Sequence, residues 1–149
     1  MRKILFRGKR LDNGEWIQGF LALLGDDYYI APDINAYTSM GGRGKGRCML
    51  FGHYYQVLPE TVGQFTGLID KNGKKIFEGD NIKIVPDYDY SDDYSISKVY
   101  SYNGILCVDY HGDDFDSTAL GFLEDYLPDG DFEVIGNIHD NSELLEVTK

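Results

Sequence analysis

The stretch Gln64–Val85 constrains the fold more than any other part of the chain, because two turn signals separate three short apolar runs. Asn72-Gly73 is a dipeptide that tolerates positive φ at both central positions of a type I′ turn, which suits the twist of two paired strands. Gly79-Asp80 then turns the chain again. After it, Ile82 and Ile84 alternate with polar residues, the period of two that buries one face of a strand. The pattern predicts short strands joined by turns.

Composition agrees with this prediction. Twelve tyrosines and 18 glycines against three methionines favour strands and tight turns over helices. We therefore expect an all-β fold of irregular, strongly bent antiparallel sheets and hairpins, with at most one or two short helices. The 149 residues suit a single domain, 1–149, that needs no cofactor for stability. The longest apolar run, Phe20–Leu24, is far shorter than the ~20 residues of a membrane span, so we expect a cytoplasmic protein.

Turn residues set the expected strand positions. Asn13-Gly14 and Asn103-Gly104 are predicted hairpin turns. The predicted strands are Lys3–Arg7, Trp16–Leu23, Tyr28–Ile30, His53–Leu58, Val62–Phe65, Ser97–Tyr102, Ile105–Tyr110 and Asp131–Ile138. A short helix is favoured within Phe115–Leu127, and Asp140 with Glu143 forms a candidate capping box for a terminal turn through Leu145.

Charge is distributed unevenly along the chain. The total is −11, but Pro86–Glu133 holds 13 Asp or Glu residues against the single base Lys98, and the first 50 residues carry a net +3. Such a charge asymmetry can steer a basic partner or align copies of the chain head to tail, with an attraction that salt screens. Acidic surfaces also serve solubility alone, and this reading stays open.

A basic, glycine-rich segment lies within Asp33–Arg47, which we expect to be a mobile loop. It differs from a phosphate-binding loop, because Arg47 stands where the lysine belongs and Cys48 stands where the magnesium-binding hydroxyl belongs. Its cations are instead candidates for contact with nucleic acid or with an acidic neighbour, including the acidic segment of another copy. The candidate interaction residues on the basic side are Arg43, Lys45 and Arg47.

The acidic loop Pro86–Ser95 supplies the candidate residues of opposite charge, which are Asp87, Asp89, Asp92 and Asp93. Its acids alternate at the spacing of a calcium loop, but Asp92 replaces the glycine of the sixth position and Lys98 replaces the bidentate glutamate of the twelfth. A second acidic cluster surrounds His111 without a companion cluster at ligand spacing; its members are Asp109, Asp113, Asp114 and Asp116. We therefore expect no metal site and no cofactor.

No nucleophile can be assigned from sequence. Cys48 and Cys107 each have a histidine nearby, but a nucleophile and its base are recognised by spatial geometry. Cys107 lies between Leu106 and Val108 in a predicted strand, which indicates a small buried core residue. No catalytic residue is selected, and the chain is predicted not to be an enzyme.

Three sequence blocks together resemble the YopX family. The core block comprises Thr66-Gly67-Leu68, Asp70–Lys74 and Ile76–Asp80; the opening block comprises Lys3–Gly8 and Gly14-Glu15-Trp16; the closing block comprises Phe132–Ile138 and Glu143-Leu144-Leu145. The resemblance implies an irregular, mostly β, self-associating protein encoded by phages or prophages of Gram-positive bacteria. It implies no established activity and no active site, so the core block carries over as structural positions only.

These observations rank the candidate functions. A self-associating structural or protein-interaction module comes first. An acidic inhibitor or DNA mimic that binds a host protein is the alternative, motivated by the acidic segment. A small barrel that binds nucleic acid ranks third, because a phosphate-binding protein normally shows a basic face, and catalysis ranks last.

Overall fold

The computed structural model describes residues 4–32, 54–85, 94–108, 118–119 and 131–145. Within these ranges the chain is all-β and every strand pair is antiparallel, which confirms the predicted fold class. The strands are β1 Phe6–Lys9, β2 Trp16–Leu24, β3 Asp27–Ala31, β4 Tyr55–Val57, β5 Gly63–Ile69, β6 Lys75–Phe77, β7 Asp80–Val85, β8 Ser95–Tyr102, β9 Ile105–Val108, β10 Thr118–Ala119 and β11 Asp131–Asn137. Two short 3-10 segments, Pro59–Thr61 and Ser142–Leu145, complete the described elements.

The chain divides into two compact units, Met1–Gln64 and Phe65–Lys149. The expectation of a single domain over 1–149 stays a prediction. In the part of the chain that the structure describes, no helix is long and apolar enough to cross a membrane.

The first unit is a small barrel closed by backbone hydrogen bonds. Antiparallel pairing links β1 to β2, β2 to β3 and β3 to β4, and β1 also pairs with the first two residues of β5. The other edge of β4 meets the end of β1, where Leu11 N–H donates to Gln56 O and Leu58 N–H donates to Lys9 O, both at 2.9 Å. Because β4 returns to the end of β1, the series β1–β4 has no free edge at this point.

Glycine permits the tight packing of this barrel. Gly19 lies midway along the nine-residue strand β2, and a Cβ built on it would stand 1.9 Å from Ala31 O and 2.8 Å from Pro32 Cα. A Cβ on Gly8 would stand 3.1 Å from Val57 Cβ, beside the fully buried Ile30. The backbone at Gly19 therefore excludes any side chain.

In the second unit, β7 is flanked by β8 and β11 in a sheet of order β10-β9-β8-β7-β11. Its core is an apolar cluster of Ile76, Ile82, Ile84, Val99, Val108 and Val134. The end of β5 pairs with β6, and the Phe65 and Phe77 rings pack with their centroids 5.5 Å apart. The buried Ile82 and Ile84 confirm the inward face predicted for this strand.

The predicted turns differ in outcome. Asn103 and Gly104 both have positive φ, 50° and 78°, so this hairpin turn has the predicted type I′ conformation. At Asn72-Gly73 only Gly73 has positive φ, 79°, and Gly73 N–H donates to Asp70 O. Asp70–Gly73 is therefore a type I turn whose last residue is a left-handed glycine, and the type I′ prediction is wrong there. Hydrogen bonds of the Asp70 carboxylate, described below, account for the difference.

Other differences have long-range causes. Gly79 has a φ of 80° and turns the chain as expected. The strands on either side of this turn do not pair with each other, because β6 pairs with β5 and β7 pairs with β8 and β11. Thr118–Ala119 is a strand that pairs with β9, against the helix favoured within Phe115–Leu127, whose other residues lie outside the described ranges. The predicted terminal turn is confirmed as the 3-10 segment Ser142–Leu145, and the remaining strands are confirmed with shifted ends.

Candidate functional site

The structure does not describe the residues that the sequence selected for interaction. Arg43, Lys45, Arg47, Asp87, Asp89, Asp92 and Asp93 all lie outside the described ranges, as does the acidic cluster around His111. Their roles stay predictions. The expected loops over Asp33–Arg47 and Pro86–Ser95 also fall there, except for Tyr94 and Ser95, of which Ser95 begins β8.

Cys107 is a free, buried thiol in β9, which confirms its prediction as a core residue. Among the side chains the structure covers, no three His, Cys, Asp or Glu residues are grouped so that they could hold a metal ion.

A cluster of cations and aromatic rings marks the first unit; we call Arg7, Lys9, Arg10, Trp16 and Tyr55 the basic–aromatic cluster. Lys9 and Trp16 are cross-strand partners in β1 and β2. The Trp16 ring lies 4.8 Å from Arg7 Cζ and 5.6 Å from Lys9 Nζ, and the Tyr55 ring lies 4.0 Å from Arg10 Cζ. Cations over ring faces at these distances are attracted by the ring quadrupole.

The Asp12 carboxylate holds the Arg10 guanidinium above the Tyr55 ring. Arg10 Nε and Nη2 donate to the two carboxylate oxygens of Asp12 at 2.9 and 2.5 Å. This hydrogen-bonded pairing raises the pKa of Arg10 and lowers the pKa of Asp12, so both groups stay charged over a wide pH range. Arg7 of this cluster is buried, and Arg10 is paired with Asp12 and lies with its Nη1 3.9 Å from Glu15 Oε2, so most of the cluster's positive charge is covered or compensated within the first unit.

The second unit contains a buried carboxylate in the core block, at Asp70. Only 5% of this residue is exposed. Its Oδ1 accepts hydrogen bonds from Asn72 N–H at 2.9 Å and Lys74 N–H at 2.8 Å, and its Oδ2 accepts one from Val134 N–H at 3.1 Å. One side chain thus shapes the β5–β6 turn and attaches it to β11.

Burial acts to raise the pKa of Asp70, but the hydrogen bonds from Val134, Lys74 and Asn72, with the charge of Lys74, outweigh it and hold the pKa below its usual value. Both carboxylate oxygens of Asp70 accept hydrogen bonds from backbone N–H groups. A general base needs a pKa near the working pH and an oxygen directed at its substrate. Asp70 therefore acts as a structural hydrogen-bond acceptor, as the family resemblance implied for the core block.

The core-block turn also contacts β11 through its next two residues. Lys71 N–H donates to Phe132 O at 3.1 Å, and Lys71 Nζ lies 3.3 Å from Glu133 Oε2. Asn72 Nδ2 lies 3.5 Å from Glu133 Oε1. The residues Asp70–Asn72, which we call the signature turn, therefore lie along β11.

The second turn of the core block is fixed in the same way. Asp80 is 1% exposed, and its Oδ2 accepts a hydrogen bond from Phe77 N–H at 2.8 Å. Gly79 N–H donates to Val99 O, and Gly79 O accepts from Ile138 N–H, both at 2.8 Å. Both turns of the block therefore connect segments that are distant in sequence.

Sequence reasoning missed three of these features. The role of Asp70 had a local signal, because an aspartate two residues before Asn72 can accept its N–H in an Asx turn. The pairing of Lys9 with Trp16 follows from the Asn13-Gly14 hairpin once its register is known. Asn81 had no signal: it alternates with Ile82, yet it is fully buried and its Nδ2 donates to Asn141 O at 3.0 Å.

Fold and site together define an all-β protein of short antiparallel strands whose most recognisable sequence block builds turns. A family model described as YopX protein matches residues 6–146. The chain therefore belongs to the YopX family, which confirms the resemblance seen in its sequence.

Two solved structures are similar over nearly the whole chain. Protein yopX from Bacillus subtilis matches with a TM-score of 0.57 and 19% identity, covering 100% of both chains. Protein EF1440 from Enterococcus faecalis matches with a TM-score of 0.52 and 22% identity, covering 97% of this chain and 99% of its own. At these identities the two structures establish the shared fold alone. A search of curated proteins finds no match.

Proposed function

We propose that the chain is a non-enzymatic interaction module, encoded by a phage or prophage and acting in the bacterial cytoplasm, that associates with copies of itself. One observation carries this proposal: the charge asymmetry follows the division into units. Met1–Gln64 has eight Lys or Arg against six Asp or Glu, a net +2, whereas Phe65–Lys149 has six against nineteen, a net −13.

Opposite net charges on two units of one chain favour a head-to-tail contact, in which the first unit of one copy meets the second unit of another. Such a contact weakens as salt shortens the range of the attraction to about 8–10 Å or less.

Neutralising the basic, glycine-rich segment tests the proposal. The triple variant Arg43→Gln, Lys45→Gln and Arg47→Gln removes three positive charges from the first unit. We expect light scattering at low salt to give a smaller average mass than for the unaltered protein, and a weaker dependence of mass on salt.

The control variant removes the same number of charges from the acidic unit, by Lys75→Gln, Lys98→Gln and Lys149→Gln. Because these changes make the second unit more negative, association should persist or strengthen. The proposal fails if the unaltered protein keeps one mass across the salt series, or if both triple variants behave alike.

The net −13 of the second unit also favours the alternative, an acidic inhibitor or DNA mimic that covers the DNA-binding surface of a host protein. Affinity capture from prophage-carrying cells separates the two candidates. Recovery of a basic DNA-binding protein at low salt would favour mimicry, and recovery of the chain alone would favour self-association.

A further inference from the structure

Three asparagines of this chain precede a glycine, and the fold restrains them to different degrees. The dipeptides are Asn13-Gly14, Asn72-Gly73 and Asn103-Gly104, and each lies between two described strands. In such a dipeptide the glycine nitrogen can attack the carbonyl carbon of the asparagine side chain, because glycine has no side chain to obstruct the approach. In a folded protein the attack depends on how firmly hydrogen bonds hold the two reacting groups.

The first dipeptide is held at both reacting groups. Gly14 N–H donates to Arg10 O at 2.9 Å. The Asn13 side chain donates to Glu15 Oε2 at 2.8 Å, and its oxygen accepts from Glu15 N–H at 3.0 Å. An attack at Asn13 therefore requires these hydrogen bonds to break first.

The second dipeptide belongs to the turn that contacts β11. Gly73 N–H donates to Asp70 O at 2.9 Å, and Asn72 N–H donates to the buried Asp70 carboxylate at the same distance. Asn72 Nδ2 lies 3.5 Å from Glu133 Oε1. An attack at Asn72 therefore also requires the turn to open.

The third dipeptide lacks such restraints. In the part of the chain that the structure describes, no group accepts the Gly104 N–H and no hydrogen bond holds the Asn103 side chain. Both residues are exposed at the tip of the β8–β9 hairpin. Water therefore reaches this dipeptide without any unfolding of the strands.

The turn type also favours reaction at this tip. Asn103 has a φ of 50°, and positive φ at the first central residue is common to type I′ and type II′ turns. Rotation of the peptide plane between Asn103 and Gly104 therefore converts one turn into the other while the strands stay paired. It needs a negative φ at Gly104, which glycine accepts. The same rotation turns the Gly104 nitrogen towards the Asn103 side chain.

The structure assigns Asn103 as a site of intramolecular deamidation in the folded protein. The Gly104 nitrogen forms a bond to Asn103 Cγ, the Cγ–Nδ2 bond breaks, and the amide group leaves as ammonia with the proton of the Gly104 nitrogen. Water then opens the cyclic succinimide and returns a proton to that nitrogen. Opening at the side-chain carbonyl gives aspartate, and opening at the main-chain carbonyl gives isoaspartate. This modification goes beyond the proposed function and does not rest on it.

The two products affect the hairpin differently. Aspartate tolerates positive φ, so it keeps the turn and makes the second unit more negative by one charge. Isoaspartate carries the main chain through Cβ and lengthens the loop between Tyr102 and Ile105. These residues are paired across the two strands, and a two-residue loop fixes their register. We therefore expect isoaspartate to loosen the end of the hairpin.

The test is to age the folded protein in warm, mildly alkaline buffer and to locate deamidation by mass spectrometry of its fragments. Each conversion adds about 1 Da and one negative charge. Because an attack at the other two sites must first break hydrogen bonds, we expect Asn103 to convert at least roughly fivefold faster than Asn13 and Asn72. In concentrated urea these hydrogen bonds are lost, so the three sites should convert at similar rates.

Asn103→Gly is the matched variant, because Gly-Gly is compatible with a type I′ turn and lacks the reacting side chain. The more acidic form that accumulates in the unaltered protein should be missing from this variant. The inference is overturned if Asn13 or Asn72 converts as fast as Asn103 in the folded protein. It is also overturned if Asn103 stays unmodified over the time in which the protein in urea converts, or if Asn103→Gly accumulates the acidic form at the unaltered rate.

Discussion

Replacing Gly19 with alanine is expected to destabilise the first unit by about 3 kcal/mol or more, the upper range for overpacking. The new Cβ would stand 1.9 Å from the backbone oxygen of Ala31, and a backbone atom cannot move aside without separating β2 from β3. Trp16 is the single tryptophan and lies in this unit, so its fluorescence during urea unfolding reports the loss.

Gly14→Ala is the control for this prediction. Gly14 has a φ of 71° with open space around it, so alanine there costs about 1–2 kcal/mol through backbone strain alone. If Gly19→Ala unfolds at the same urea concentration as the unaltered protein, then the backbone of Ala31 and Pro32 does not pass close to Gly19.

Removing the Asp70 carboxylate is expected to have a similarly large effect on the second unit. Asp70→Ala leaves the N–H groups of Asn72, Lys74 and Val134 without their charged acceptor. Because hydrogen bonds to charged groups contribute about 1.5–3 kcal/mol each and are not additive, we expect a loss of about 3 kcal/mol or more. Circular dichroism during urea unfolding measures the loss, and faster exchange of the Val134 amide locates it.

Asp12→Ala is the matched control, since it removes an aspartate that is 62% exposed and paired with Arg10 at the surface. Such an exposed pair is screened by solvent, so its loss should change the stability of the protein little. Equal effects of Asp70→Ala and Asp12→Ala would mean that Asp70 does not join the signature turn to β11.

Local sequence predicted the β class, because turn dipeptides and alternating apolar residues act over a few positions. Asn103-Gly104 shows where this works: its conformation is set by the dipeptide and the two strands beside it. Asn72-Gly73 shows where it fails, since Asp70 binds the N–H groups of Asn72 and Lys74 and selects another turn.

Contacts between distant positions could not be predicted from local patterns. Val134 N–H bonds to a carboxylate 64 positions earlier, and Asn81 is buried because its amide reaches Asn141, 60 positions later. The bridge between Arg10 and Val57 that helps close the barrel likewise depends on how β4 returns to β1. These contacts fix which strands are neighbours, so sequence predicted the strands better than their order.

The central claim is that the core block of the family signature is structural, with an ionised Asp70 that ties a turn to a distant strand. Titrating the Asp70 carboxyl carbon by NMR tests this directly. We predict a folded-state pKa below the usual 3.8. Because the folded pKa is depressed, the stability from this carboxylate is complete above about pH 4 and is lost as the pH falls through the folded value. A pKa above 3.8 would mean that burial outweighs the hydrogen bonds and would contradict the account.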